Sequence, residues 1–464
     1  MKKRSNTLFY LTTIGGLIAL IYFVIHQGKA LEGVLTPVLE KPLTHQLTFA
    51  EEILKVLHHP LAVFILQLLV ILITVRIAGS LFKKIGQPAV VGEMVAGIVL
   101  GPSLVGALFP AFSAFIFPKE SLPHLQLISQ VGLILFMFVI GMELDLNLLK
   151  KKAGSAVVIS HASIVFPYGL GVGLSYFLYK KMAPEGVHFY SFALFMGIAM
   201  SITAFPVLAR VIRERGLTGT RLGTLAITCA AADDITAWCI LGFVIAVAKA
   251  ASVMSAVYTI ILTIVYVLIM LLLLKPFLAR LAGKWLPLRS MQQSAVAIVF
   301  IVLLVSAYIC EVIGIHALFG AFMAGVVMPD EWSFRKILID KIEDVALILF
   351  LPLFFVFTGL RTEIGLLQDS SLWGMCLIII LVAIAGKFGG SALAARYTGE
   401  SVKDSLAIGA LMNTRGLMEL VVLNIGYDLG ILSPQIFTMM VLMAIITTLM
   451  TSPILAAVGK MKDK

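Results

Sequence analysis

Thr228-Cys-Ala-Ala-Ala-Asp233-Asp234-Ile-Thr-Ala-Trp238 sets two adjacent carboxylates in the middle of a long apolar run. The run extends from about Leu222 to Ala248 and holds no other Asp, Glu, Lys or Arg. That is enough for a membrane-spanning helix, which needs about 20 apolar residues. A carboxylate in hydrocarbon is costly, by roughly 2.5–3.5 kcal/mol on insertion scales. Such groups pair with a cation, share protons or line a watery path. A surface loop is the alternative placement, and the apolar residues close on both sides argue against it. Asp233 and Asp234 are the first functional candidates.

Composition agrees with a membrane setting. Of 464 residues, 60% are hydrophobic and 13% charged, against roughly 45–50% and 25% in a soluble domain. The chain reads as an all-α polytopic membrane protein in contact with the lipid bilayer. Its formal net charge of +10 does not call for nucleic acid, because Lys and Arg gather in short loops between apolar runs, where they set topology. Cys229, Cys239, Cys310 and Cys376 lie inside apolar runs without metal-type spacing and read as buried free thiols. The sequence shows no enzyme motif and calls for no cofactor or resident metal.

Outward from the acid pair, the chain divides into about thirteen spans of suitable length: 61–83, 88–108, 125–148, 153–179, 188–212, 220–249, 254–280, 292–310, 313–329, 344–364, 372–397, 404–428 and 434–458. An earlier run from Leu8 to His26 follows Met1-Lys-Lys-Arg and lacks a small-residue cleavage site, so it reads as a retained anchor. The total is about 14 spans. Residues 27–60 are polar, with Pro37, Pro42 and Pro60, and read as extramembrane. The basic clusters (Lys83-Lys84, Lys150-Lys151-Lys152, Arg210 to Arg221, Lys275 to Arg289, Arg335-Lys336 and the Lys460 tail) fall on one side; Lys180-Lys181 runs against the trend. Both termini are expected in the cytoplasm, in a cell membrane.

The chain also repeats itself. Ile85-Gly86 to Gly97 resembles Ile313-Gly314 to Gly325; Val131 to Phe136 resembles Val345 to Phe350; Gly197 to Thr203 resembles Gly409 to Arg415. Three matches in the same order predict two halves of about six spans, joined by one span and so inverted, as in many secondary transporters. The expected organisation is an anchor and extracytoplasmic segment at 1–60, a first half at 61–249, a linker at 250–290 and a second half at 291–464. Carrying the Gly197/Gly409 register forward sets Asp233 and Asp234 opposite Ile445 and Ile446. One half alone keeps the acids, as a single central site would require.

Two spans carry polar interruptions at matching places. Ser201-Ile-Thr203-Ala-Phe-Pro206 breaks the first, since Pro206 lacks an N–H and displaces the Ile202 carbonyl. Asn413-Thr414-Arg415-Gly416, with Glu419 one turn on, interrupts the second. Broken helices at membrane depth survive only against protein or a cavity, and their ends coordinate ions. Lys387 stands deep in the run from Leu372 to Ala395 and reads as the buried cation an acid pair requires. Snorkelling to the interface is the alternative, and about ten apolar or small residues on either side argue against it. Arg361 lies at an expected outer span end and reads as an interface anchor. Glu93 and Glu311 take lower priority, and His161 and His316 read as core histidines.

The motifs together resemble the monovalent cation:proton antiporters of the CPA2 branch, within the sodium/hydrogen exchangers, and the wording is most similar to the plant CHX type. They are Gly86-Gln-Pro-Ala-Val-Val-Gly-Glu93 with Gly97-Ile-Val-Leu-Gly-Pro102, Ser201 to Arg210, Asp233-Asp234 with Ala237-Trp238, and Asn413-Thr-Arg-Gly-Leu-Met-Glu-Leu420, within about residues 60–460. The resemblance implies an NhaA-like fold with two crossed discontinuous helices, a core that moves against a dimerisation domain, and a homodimer. It implies that Asp234 binds the ion, that Asp233 is its neighbour and that Lys387 pairs with that neighbour. Ser201 and Thr203 fall in the first unwound stretch and Asn413, Thr414 and Arg415 in the second, with Arg415 balancing charge. No G-x-G-x-x-G is present, so a regulatory nucleotide-binding domain in cis is not expected.

The leading reading is exchange of Na⁺ or K⁺ for H⁺ by competition at Asp234, with further oxygens from Asp233, Thr203 and freed carbonyls. A sodium-coupled organic-solute symporter of the same architecture is the alternative, and the acid pair argues against it. An intramembrane aspartyl protease needs two aspartates facing each other; neighbours in a helix point about 100° apart, which excludes it.

Overall fold

Apolar runs of this length can satisfy their backbone in lipid only as helices, and helices are what they form. The structure, a computed structural model, describes residues 15–27, 56–143, 153–249, 253–285, 293–329 and 332–461. Most of the expected extramembrane segment, and Lys150-Lys151-Lys152, lie outside these residues. The first described helix, α1, runs Gly15–Gln27 and belongs to a unit separate from residues 60–464.

The main unit contains α2 (Pro60–Lys84), α3 (Ala89–Leu100), α4 (Leu122–Glu143), α5 (Ala153–Met182), α6 (Phe189–Ala199), α7 (Phe205–Glu214) and α8 (Arg221–Lys249). There follow α9 (253–285), α10 (Gln293–Ile313), α11 (Ala317–Val326), α12 (332–360), α13 (Ser370–Tyr397), α14 (Val402–Met412), α15 (Leu417–Asp428) and α16 (Pro434–Gly459). No strand occurs among the described residues.

The span count differs from the expected 14. Among the described residues, ten helices are long and apolar enough to cross a membrane, or eleven if the bent pair α14 and α15 counts as one span. Of the expected spans outside that count, 188–212 and 313–329 hold the short helices α6 and α11, 11 and 10 residues long and too short to span alone at 1.5 Å per residue. The run 8–26 is described only from Gly15. In the first interrupted run the break falls between Ala199 and Phe205, and Pro206 sits in the first turn of α7. A missing N–H has no cost there, so Pro206 opens a helix rather than kinking one. In the second run α14 and α15 meet at 41°.

The matched sequence stretches fall on like elements. Gly86 and Gly314, with φ of 74° and 96°, make the turns before α3 and α11. The Gly197 and Gly409 stretches lead α6 and α14 into their breaks. Helices α2, α3, α4, α10, α11 and α12 pack chiefly on one another, as do α5 to α8 with α13 to α16. Within lipid such packing rests on close backbone approach rather than on a hydrophobic drive. Gly141 on α4 meets the Phe322 carbonyl and Gly325 on α11 so closely that a Cβ would overlap them.

Candidate functional site

The site forms where the two breaks meet α8. The Ala204 N–H donates to the Thr414 carbonyl at 3.1 Å, tying one break to the other. Because consecutive residues of α8 point about 100° apart, Asp233 and Asp234 face different neighbours.

Asp233 looks towards α5 and α13. Ser160 Oγ donates to its Oδ1 at 2.7 Å, while Ser163 Oγ and Thr203 Oγ1 donate to Oδ2 at 2.9 and 2.7 Å. Lys387 Nζ lies 3.0 Å from the same Oδ2, and both side chains are fully buried. Lys387 sits in a π-helical turn, Ala385–Gly389, inside α13. Gly386 in that turn brings α13 against Pro167 of α5, where a Cβ would overlap the proline backbone. The ammonium donates also to the Ser163 carbonyl at 2.9 Å and to the Ser201 carbonyl. Its three protons thus match three acceptors.

Asp234 is arranged differently. Both carboxylate oxygens are buried, and neither has a hydrogen-bond partner. Its face of α8, shared with Ala237, Trp238 and Leu241, borders a cavity of about 10 Å³ closed by Ile202, Met418 and Val422. That volume is about what one water needs.

The second break supplies another buried cation. Arg415 donates to the Ala199 and Met200 carbonyls at 3.3 and 2.7 Å, and lies 3.3 Å from Glu419 with both side chains fully buried. The last carbonyls of a helix are unpaired and carry its partial negative charge. Lys387 and Arg415 together cover those of α6 and the Ser201 carbonyl just beyond it. The Thr414 hydroxyl lies 3.1 Å from that of Thr451, and Asn413 Oδ1 is buried without a partner. Gly416 holds φ at 150°, a region that disfavours side chains.

The sequence candidates gather around the two breaks, but none of them bonds to Asp234. The Thr203 hydroxyl reaches Asp233 and the Met412 carbonyl. The Ser201 hydroxyl turns back to the Gly197 and Ile164 carbonyls. Arg361, expected as an interface anchor, stands at the end of α12 and pairs with Asp428 at 2.7 Å. His161 is exposed rather than in the core, and Cys239 is exposed too. Ser160 and Ser163 were not singled out; their spacing of one helical turn was the only signal they offered.

A larger cavity, about 380 Å³, opens between the two helix groups at the basic end of the spans. Arg76, Glu93, Glu143, Arg210, Arg213, Glu343 and Asp344 line it, and it reaches Pro206, Val207 and Leu417, the first turns of α7 and α15. Among the described residues no three His, Cys, Asp or Glu side chains gather as a metal site.

Comparison with known proteins bears on this geometry. Residues 69–458 match the family model described as sodium/hydrogen exchanger, transmembrane. The Na(+)/H(+) antiporter NhaS4 of Synechocystis is 43% identical over 399 residues, covering 86% of this chain and 97% of that protein. Cation/H(+) antiporter 17 of Arabidopsis thaliana is 40% identical, over 87% of this chain and 49% of its own. K(+)/H(+) antiporter 1 of Saccharomyces cerevisiae is 34% identical, over 85% and 46%. The chain thus spans about half the length of the plant and yeast relatives. The sodium proton antiporter MjNhaP1 of Methanocaldococcus jannaschii shares the fold, with a TM-score of 0.62 at 16% identity over 86% of this chain and 97% of its own. With a family model across most of its length and a relative matched nearly end to end, the chain belongs to the sodium/hydrogen exchanger family, among the CPA2-type cation:proton antiporters.

Proposed function

We propose that this protein exchanges a monovalent cation, Na⁺ or K⁺, for H⁺ across the membrane by alternating access, and that Asp234 is the carboxylate for which the two compete. The observation that carries the proposal is the contrast between the acids. Asp233 is held by three hydroxyls and Lys387, whereas Asp234 is buried with both oxygens free of donors. A carboxylate at such depth with no donor, beside a lysine already paired to its neighbour, is set to take up a proton or a cation. A hard monovalent cation suits oxygen ligands, and the buried Asn413 Oδ1 adds an acceptor without a partner at the same crossing.

Asp233 and Thr203 act on this reading as a fixed support with Lys387, not as direct ion ligands. Glu419 and Arg415 balance charge across the second break. The two inverted halves would expose Asp234 in turn to the basic, cytoplasmic end through the 380 Å³ cavity and to the opposite end, in a cell-membrane homodimer with both termini inside. The ions are cargo, and no cofactor takes part. The solute-symporter alternative has no support from the relatives named above, which are antiporters.

Competition at one carboxylate makes a quantitative test. In proteoliposomes with an imposed pH gradient, Na⁺, K⁺ or Li⁺ is added in turn and lumenal pH followed. Where Asp234 is mostly protonated, the apparent KM for the carried cation should rise about tenfold per unit fall in pH, because each cation displaces one proton. A KM independent of pH would contradict competition at a shared site.

A further inference from the structure

The end of the molecule opposite the 380 Å³ cavity is closed by a polar cluster that exchange chemistry at Asp234 does not use. Its centre is Arg361, just past α12. The guanidinium is mostly buried and reaches across the boundary between the two helix groups to Asp428 Oδ1 at 2.7 Å and Asn424 Oδ1 at 3.1 Å, both on α15. It also stacks over Phe357 of its own helix and Tyr427 of α15, 4.2 and 5.3 Å from the ring centres. Asn424 Nδ2 returns a bond to Thr358 Oγ1 at 2.8 Å, and Gln126 of α4 donates to Asp428 at 3.3 Å.

The cluster is fixed on one side and mobile in principle on the other. Ser103 Oγ donates to the Thr362 carbonyl at 2.6 Å and accepts from the Ile364 N–H at 3.0 Å, pinning the loop after Arg361 to the end of α3. Asp428 and Asn424 ride on α15, whose first turn adjoins the second break. Position along the spans separates cluster from cavity. Gln126 and Glu143 stand at the two ends of α4, 17 residues and so about 25 Å apart at 1.5 Å per residue. The groups are thus parted by a charged cavity at one end and clamped at the other by an ion pair, the cation–π contact with Tyr427 and side-chain hydrogen bonds.

We propose that Arg361, with Asp428 and Asn424, is a latch that keeps the face opposite the basic end closed, and that it must release before Asp234 can be exposed there. The inference rests on alternating access as proposed above. Its chemistry suits a reversible catch: the pair is accessible enough to exchange its partner for water, yet the rings and the Asn424 amide fix its geometry.

The test reads conformation rather than transport. In a background with Cys229, Cys239, Cys310 and Cys376 replaced by Ala, spin labels are placed at the exposed Glu120 and Glu185. Glu120 precedes α4, and Glu185 precedes α6, whose Phe195 packs on Gly426 near the end of α15. Pulsed electron–electron distances in liposomes then follow the separation of the two groups at that end. Arg361→Gln and Asp428→Asn should each raise the ratio of long to short distances about tenfold, the change expected when one charge-assisted contact is lost. Should one variant fail to fold, the other decides. Unchanged distance distributions would overturn the latch. A wild-type protein without cation:proton exchange would instead remove the function it rests on, whatever the distances.

Discussion

Removing the Lys387 ammonium should destabilise the protein by an amount the geometry bounds. In Lys387→Met the stem is replaced but Asp233 keeps its charge at full burial. Breaking a buried pair from one side typically costs about 3–5 kcal/mol. Here Ser160, Ser163 and Thr203 still donate to the carboxylate, so the low end, about 3 kcal/mol, is expected. The Ser163 and Ser201 carbonyls lose a donor at the same time. Asp233→Asn alone strands the ammonium against those two carbonyls and should cost a similar amount. The double variant leaves no unpaired charge and should recover about 2 kcal/mol relative to the sum of the single losses, within the range of measured couplings between contacting residues. Thermal melting in detergent of the four proteins, with monodispersity checked by size exclusion, gives the cycle. Additive losses would refute the reasoning and show that the Asp233–Lys387 contact carries no energy of its own.

Three further outcomes are expected. Ser163→Ala removes a hydroxyl bonded to a buried carboxylate and should cost about 1.5–3 kcal/mol while exchange persists, read from melting and proteoliposome assays. Gly416→Ala forces a Cβ into φ of 150° against Val207; a loss of about 1–3 kcal/mol with slower exchange should appear in the same two assays. A cysteine at Lys460, the first residue of the basic tail, should resist an impermeant thiol reagent in sealed cells if, as proposed, the basic end faces the cytoplasm.

Much of the fold was legible because the bilayer leaves few choices. Apolar runs of about 20 residues can only be helices there, and the paired positions of the polar interruptions at Ser201 to Pro206 and Asn413 to Gly416 favoured breaks over a simple proline kink. That a lysine at depth should meet the acid pair was legible for the same reason, since each was otherwise an isolated charge in the membrane. That its partner is Asp233 was implied by the resemblance to the antiporters, and the two side chains lie 3.0 Å apart. Composition does not tell a continuous span from the short helices α6 and α11, which are as apolar as their longer neighbours. Apart from that resemblance, the residues did not show how differently the two acids are surrounded. That depends on Ser160 and Ser163 from a helix about 70 residues away in sequence, on the π-helical turn that aims Lys387, and on Gly386, whose lack of a side chain sets how near α13 comes to α5. Arg361 was placed at the right end of its span, but its partner Asp428 lies on another helix, and pairing across helices leaves no local pattern.

The most direct measurement is cation-driven proton movement by Asp234→Asn in proteoliposomes, at matched protein level and compared with the wild type and with Asp233→Asn. The amide is nearly the same size but neither carries a proton nor balances a cation. Exchange should be abolished in Asp234→Asn, with the melting temperature preserved or raised because a buried carboxylate without donors has gone. Wild-type exchange rates in that variant would contradict the assignment of Asp234 as the shared site of cation and proton.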